Sequence, residues 1–330
     1  MAPLPRLFAR DGVPTQEMQS YYRRRAEQQM GLIITEPVAI DDPAATADSG
    51  MAHFFGGAAL RAWKGICRSV HATPCRIMPQ LNHVGMLRPE SGDMPNPEAA
   101  AVGPSGIDPV ILKQRVEPMS RERITSVITA FATAAHSARQ LGFDGVEING
   151  AHAGLVEQFL RKETNCRTDE YGGDILGRAR FACRIIHAVR KATGHMFPIV
   201  FRYSQHGSGI WKSPLLKSPA ELEILLGALC DAGVDMFACD GVNMPAFHGS
   251  ALNLPAWTRM LTKRPVIGNG GVGLPGLGLA SLVQQLRAKD YDLVAVGRAL
   301  LADAEWATKV RLARESEIVP FTHRSWMRLF

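Results

Sequence analysis

Long apolar runs are missing from this 330-residue chain. None approaches the roughly 20 residues of a membrane helix, so no membrane span is expected. The start, Met1-Ala2-Pro3-Leu4-Pro5-Arg6, has no charged segment followed by an apolar one, so no signal peptide is expected. The six cysteines (Cys67, Cys75, Cys166, Cys183, Cys230, Cys239) include no C-x-x-C pair. That argues against a structural zinc, an iron–sulfur cluster and a secreted disulfide framework. No metal site is expected, and a reducing cytoplasm fits best. No aromatic-interleaved basic stripe is present, so nucleic-acid binding is not expected. The net charge of +6 is dispersed, apart from Arg23-Arg24-Arg25, which reads as a solvated helix face. Such an excess suits an anionic cofactor or substrate. Solenoid repeats, low-complexity tracts and composition breaks are also missing.

What is present is alternation. Apolar residues make up 46% and charged residues 21%, an ordinary globular balance. Strand-like runs fall at residues 1–3, 31–35, 75–81, 143–148, 198–202, 234–239, 265–267 and 293–296. Helical patterns fall at residues 15–30, 57–70, 121–141, 175–193, 219–232, 255–261, 277–289 and 304–311. The strands read as continuous apolar runs, as when both faces are covered. Eight β-then-α units in series predict a closed (β/α)8 TIM barrel, a single domain over 1–330, with a doubly wound open sheet as the alternative. Two insertions interrupt the series. Residues 87–119 carry Pro89, Pro95, Pro97, Pro104, Pro109 and Pro118 and read as a lid or substrate loop. Residues 206–218, with Trp211 and Lys212, read either as a second mouth loop or as plain surface loop.

In a barrel, function collects at the C-terminal ends of the strands. Taken in order, those ends are Pro3 and Leu4; Glu36 and Pro37; Gln80; Asn149 and His152; Arg202; Asp240; Asn269-Gly270-Gly271; and Gly297-Arg298. Glycines after the last two strands, with Arg298 beside them, can make a phosphate site from backbone N–H groups. Arg202 supplies a fixed positive charge, and Gln80 offers both a donor and an acceptor. Asn149 and His152 could polarise a carbonyl, although capping of loop backbone would explain them equally. Rival motifs fit less well. Gly268-Asn-Gly-Gly-Val-Gly273 matches a dinucleotide fingerprint in form, but Asp290 and Asp292 begin a strand instead of ending one. Gly207-Ser208-Gly209 is not a nucleophile elbow.

These residues resemble the Old Yellow Enzyme family, the FMN-dependent ene-reductases, over essentially the whole chain. The resemblance is carried by Met1-Ala2-Pro3-Leu4, Asp11-Gly12-Val13-Pro14-Thr15, Tyr21-Tyr22, Gly31 to Glu36, Gln80-Leu81-Asn82-His83-Val84-Gly85 and Pro104-Ser105. Gly142 to Gly173 is its most specific part, above all Arg167-Thr-Asp-Glu-Tyr-Gly-Gly173. Phe201-Arg202-Tyr203-Ser204, Ala232 to Asp235, Gly270-Gly271 and Val296-Gly297-Arg298 follow in family order. Gln205 and Trp211-Lys212 are similar to a bacterial branch labelled 12-oxophytodienoate reductase-like.

The resemblance implies FMN at the barrel mouth. Pro3 and Leu4 would meet the flavin through backbone, Gln80 would bond its pyrimidine edge, and Arg202 would stabilise the reduced ring. Gly270, Gly271, Gly297 and Arg298 would hold the phosphate. Asn149 and His152 would be the catalytic pair, gripping the acceptor oxygen of an electron-poor alkene. Hydride would pass from NADPH or NADH to the flavin and then, in a ping-pong cycle, to an α,β-unsaturated carbonyl or nitro compound. No nucleic acid or membrane partner is implied; homo-oligomerisation stays open. Departures from the family pattern set the alternatives. Pro5 replaces the usual Thr or Cys, Pro37 a small residue and Met86 a common Arg, while Gly154 stands where the proton-donating Tyr belongs. Those changes leave room for a flavoprotein isomerase, a dehydrogenase, a nitro-ester reductase or a degenerate, non-catalytic barrel. The chain begins inside its first strand, which leaves open either a misassigned start or an N-terminal truncation.

Overall fold

The computed structural model describes residues 1–206, 209–241, 247, 250, 252–274 and 278–329. Gly207 and Ser208 of the second insertion, and Leu277 of the seventh expected helix, lie outside that range. Seven strands are assigned: β1 (Leu32–Ala39), β2 (Arg76–Asn82), β3 (Val146–Gly150), β4 (Ile199–Tyr203), β5 (Met236–Asp240), β6 (Val266–Asn269) and β7 (Leu293–Ala295). They pair in parallel and in chain order. A doubly wound sheet would reverse that order at a switch point, so the open-sheet alternative is excluded.

The expected first strand, residues 1–3, is not assigned as a strand of its own, but its backbone closes the ring. Ala2 N donates to Val296 O at 2.8 Å, beyond β7. On the other side the Met1 amine donates to Leu32 O at 2.7 Å, and Ile34 N donates to Met1 O at 3.2 Å. The sheet is therefore a closed (β/α)8 barrel with a very short first stave. Its interior layer is built from Ala2, Ile34, Met78, Val200, Ala238, Ile267 and Ala295. Three alanines share that layer with Ile34, Met78, Val200 and Ile267, so side chains fill the narrow interior as a packed core.

Helices α1 (Gln16–Ala26), α2 (Gly57–His71), α3 (Arg121–Leu141), α5 (Ile175–Thr193), α6 (Pro219–Ala232), α7 (Leu254–Thr262), α8 (Leu279–Arg287) and α10 (Trp306–Arg311) lie where the periodicity predicts. Their starts follow from capping chemistry. Ser120, Asp174, Ser218 and Asn253 each accept a backbone N–H from the first turn of the following helix. Two short helices, α4 (Leu155–Leu160) and α9 (Arg298–Ala302), were not expected.

Two expectations need correction. Arg23 is exposed, but Arg25 is fully buried. Its guanidinium donates to Leu300 O and Tyr21 O and lies 3.7 Å from the Tyr21 ring centroid. The triple Arg is thus only partly a solvated face, because the end of α9 presents a carbonyl that needs a buried donor. Residues 209–218 are not plain surface loop either. Trp211 and Leu216 are buried, and Arg161 reaches across to Ser213 O at 2.8 Å with its guanidinium 4.7 Å from the Trp211 ring centroid.

Candidate functional site

A pocket of about 830 Å³ opens at the C-terminal ends of the strands. Pro3, Leu4, Gln80, Asn149, His152, Arg202, Gly270, Gly271, Gly297 and Arg298 all line it. Ten residues singled out in sequence therefore share one cavity. Its size is that of a site for a drug- or cofactor-sized ligand.

The polar floor is built across five neighbouring strands, β2 to β6. Parallel register puts Gln80 beside Glu147 and Asn149 beside Arg202. Gln80 Nε2 donates to Glu147 Oε1 at 2.6 Å, which leaves the amide oxygen free of that contact. Arg202 Nη2 donates to Asp240 Oδ1 at 2.8 Å, and Asn269 Nδ2 donates to the same oxygen at 2.6 Å. Glu147 is completely buried, and burial pushes its carboxyl up to about 7, against the pull of the Arg202 charge and the Gln80 bond.

At the side of the pocket, Asn149 stands near the end of β3 and His152 on the turn that leaves it. Asn149 Nδ2 donates to Asn82 Oδ1 at 2.9 Å, while its own Oδ1 accepts Ala151 N at 3.2 Å. His152 and Ala153 both adopt φ 57°, a left-handed pair of non-glycine residues. Each such residue costs of the order of 1–2 kcal/mol and persists only where its surroundings impose it. Here they do: Ala153 N donates to Glu157 Oε2 at 2.6 Å, and Gln158 Nε2 donates to Ala153 O at 2.7 Å. The His152 ring keeps 37% of its side-chain surface open to the pocket, with Nε2 3.7 Å from Asp240 Oδ2. Desolvation first, and then the Arg202 charge, push its pKa down to about 4 against the opposing pull of Asp240. It is therefore a neutral imidazole at pH 7, a donor that adds no charge.

The third region can take an anion. Gly270 (φ 135°) and Gly271 (φ 71°) hold backbone that side-chain-bearing residues rarely adopt, and Gly297 and Arg298 stand beside them. Gly154 also lines the pocket. A Cβ there would lie 3.3 Å from both Asn82 Oδ1 and His83 O, so a side chain at 154 would need these neighbours to give by a few tenths of an ångström. Asp48, Asn82, Asp240, Asn269 and Trp326 are further lining residues outside the ten. Trp326 comes from a C-terminal turn held by Arg6, which donates to the carbonyls of Ser325, Trp326 and Arg328.

A second arrangement of catalytic residue types lies at the opposite end of the barrel. Cys67 Sγ is 3.7 Å from His71 Nδ1, and His71 Nε2 is 2.7 Å from Asp144 Oδ2. Cys67 is buried with its thiol pushed up to about 12, so it supplies no thiolate. Among the described residues, no His, Cys, Asp or Glu cluster could hold a metal ion, and no helix is long and apolar enough to cross a membrane.

The model of the NADH:flavin oxidoreductase / NADH oxidase family matches residues 1–317. An NADH oxidase of Thermoanaerobacter brockii is 30% identical over 319 residues, covering 93% of this chain and 47% of that protein. A probable NADH-dependent flavin oxidoreductase of Bacillus subtilis is 28% identical over 333 residues, covering 96% of this chain and 84% of that one. The chain thus spans about half the length of the T. brockii relative. A morphinone reductase variant solved with tetrahydroNAD superposes with a TM-score of 0.85 at 26% identity, covering 99% of this chain and 89% of that one. The pocket suits the family's cofactor: a cationic, glycine-lined region for a phosphate and an amide and guanidinium floor for a heteroaromatic ring. The chain belongs to the NADH:flavin oxidoreductase / NADH oxidase family, an enzyme family of TIM barrels whose cofactor is FMN.

Proposed function

We propose that this barrel is an FMN-dependent NAD(P)H oxidoreductase that reduces electron-poor alkenes by a ping-pong cycle. The observation that carries the reading is the single cavity in which an anion cradle, a polar floor and the Asn149–His152 pair meet. Gly270, Gly271, Gly297 and Arg298 would hold the phosphate, and Gln80 and Arg202 the pyrimidine edge. Pro3 and Leu4 would line the ring through backbone. Pro5 and Pro37 also line the cavity and can give no backbone N–H. FMN, when bound, supplies hydride acceptance from the nicotinamide and hydride donation to the acceptor. Asn149 and His152 would donate hydrogen bonds to the carbonyl or nitro oxygen, where negative charge develops. The relative named morphinone reductase is consistent with an activated alkene as acceptor.

The test is an anaerobic visible spectrum of purified protein, before and after NADPH and then NADH. A flavin band that bleaches is the expected result. Protein that stays colourless after reconstitution with FMN would overturn the reading in favour of a degenerate barrel.

Gly154 favours a second reading, in which the acceptor needs no carbon protonation, as with a nitro ester, or the reaction is an isomerisation or dehydrogenation. No side chain at 154 can deliver a proton. Restoring Tyr at 154 should require room from Asn82, so the informative variant pairs Gly154→Tyr with Asn82→Ala. A gain in alkene reduction over Asn82→Ala alone supports the second reading, and no gain counts against it.

A further inference from the structure

Arg202 is bonded to one carboxylate, Asp240, and its charge also acts on a second, Glu147; neither is among the residues the flavin reading uses. Asp240 stands at the end of β5, the next strand, and lines the pocket. Its Oδ1 accepts both Arg202 Nη2 and Asn269 Nδ2, and its Oδ2 faces His152. Glu147 lies on β3, on the other side of β4, beneath the pocket floor. One of its oxygens accepts from Gln80; the other, Oε2, is buried without a hydrogen-bond partner among the described residues. Arg202 Nε is likewise buried without a partner. The charges of Arg202 and Asp240 both act on Glu147 and on His152, so these groups form one electrostatic unit.

We infer that Asp240 and Glu147 are positioning residues that set the reduction potential of the bound flavin low, by fixing Arg202 and Gln80 and by offsetting the Arg202 charge. The inference rests on the reading of this pocket as the FMN site. Its physical basis is simple. Reduction places additional negative charge on the flavin ring, and a neighbouring cation favours the reduced form. An anion paired to that cation opposes it. Asp240 does so directly, through a charge-assisted bond of 2.8 Å to the guanidinium. Glu147 does so from beneath, and by taking one N–H of Gln80 it also fixes which end of that amide faces the ring. A low potential would make the reduced flavin a stronger hydride donor to the acceptor.

The experiment is an anaerobic potentiometric titration of FMN-loaded protein against a reference dye, for wild type, Asp240→Asn and Glu147→Gln. Both substitutions are isosteric. Asp240→Asn keeps an oxygen that can accept from Arg202 and Asn269 and, at the pocket surface, is the variant to rely on if the buried Glu147→Gln does not fold. The expected result for Asp240→Asn is about a tenfold stronger preference for reduced over oxidised FMN, a positive shift of about 30 mV for a two-electron couple. Glu147→Gln should shift the same way above pH 7, where the Glu147 carboxyl is ionised. A purely structural role would weaken both redox forms alike and leave the potential unmoved. FMN-loaded variants with the wild-type potential, or a lower one, would therefore overturn the inference alone. Wild-type protein that binds no FMN would overturn the flavin reading and this inference with it.

Discussion

Single side chains here carry duties that can be separated by substitution. Asn149 spends one N–H on Asn82 and still lines the pocket, so its second N–H is the one a substrate oxygen would meet. Asn149→Ala should lower the rate of reoxidation by an enone about 10²–10³-fold, the usual cost of one donor at a developing oxyanion. Reduction by NADPH should change far less; stopped-flow absorbance separates the two halves. Glu36 makes a different prediction. It is buried, and despite accepting Arg6 N, Leu7 N and Tyr22 OH it is pushed up to about 7, with desolvation the largest cause. Unfolded, the same carboxyl ionises near its usual 4.5. The folded state therefore binds the extra proton between these values, and its stability falls as pH rises from about 4.5 to 7. Glu36→Gln abolishes that loss. Urea midpoints should move in favour of Glu36→Gln, relative to wild type, by of the order of 1–3 kcal/mol between pH 5 and pH 8.

At the level of elements, the loops matter as much as the staves. Arg88 is enclosed by the carbonyls of Thr46, Pro95, Asn96 and Ala99, and Arg167 donates to Pro104 O and Met119 O while paired to Asp169. The segment 87–119 is thus tied down by two guanidinium groups, one of them in the Arg167–Gly173 motif. Arg161 does the same for 206–218, and its other partner is the fully buried Glu157 that supports the His152–Ala153 turn. Arg161→Ala would strand that carboxylate, so a loss of about 3–5 kcal/mol is expected in chemical denaturation. The sequence made helices such as α3 legible, because Ser120 and Gly142 bracket a long periodic run. It also made the strand ends legible, and with them ten pocket-lining residues. It could not make Glu147 legible. A carboxylate inside an apolar strand leaves no periodic mark, and its partner Gln80 lies on another strand that only parallel register brings alongside. Arg25 was misread for a related reason: its acceptor belongs to α9, a helix too short to show in sequence. Trp326 reaches the pocket only through Arg6 and the carbonyls of its turn.

For the molecule as a whole, a ligand that binds only the folded state stabilises it by mass action. FMN at about a hundred times its dissociation constant should add about 2.7 kcal/mol, visible as a rise in Tm. Arg298→Ala should reduce that rise at the same FMN concentration without lowering the Tm of the flavin-free protein, because Arg298 is exposed at the pocket.

The two-residue stave at Met1 and Ala2 has a kinetic corollary. Its hydrogen bonds join Ala2 to Val296, far away in sequence, so this is among the most non-local contacts in the barrel. Loop-closure entropy must be met before such a contact returns any stabilisation. Before it forms, β1 and β7 are both open sheet edges, the part of a folding intermediate most prone to pair with another chain. Ring closure is therefore expected to come late in folding, and the interval before it is when this chain is most exposed to aggregation.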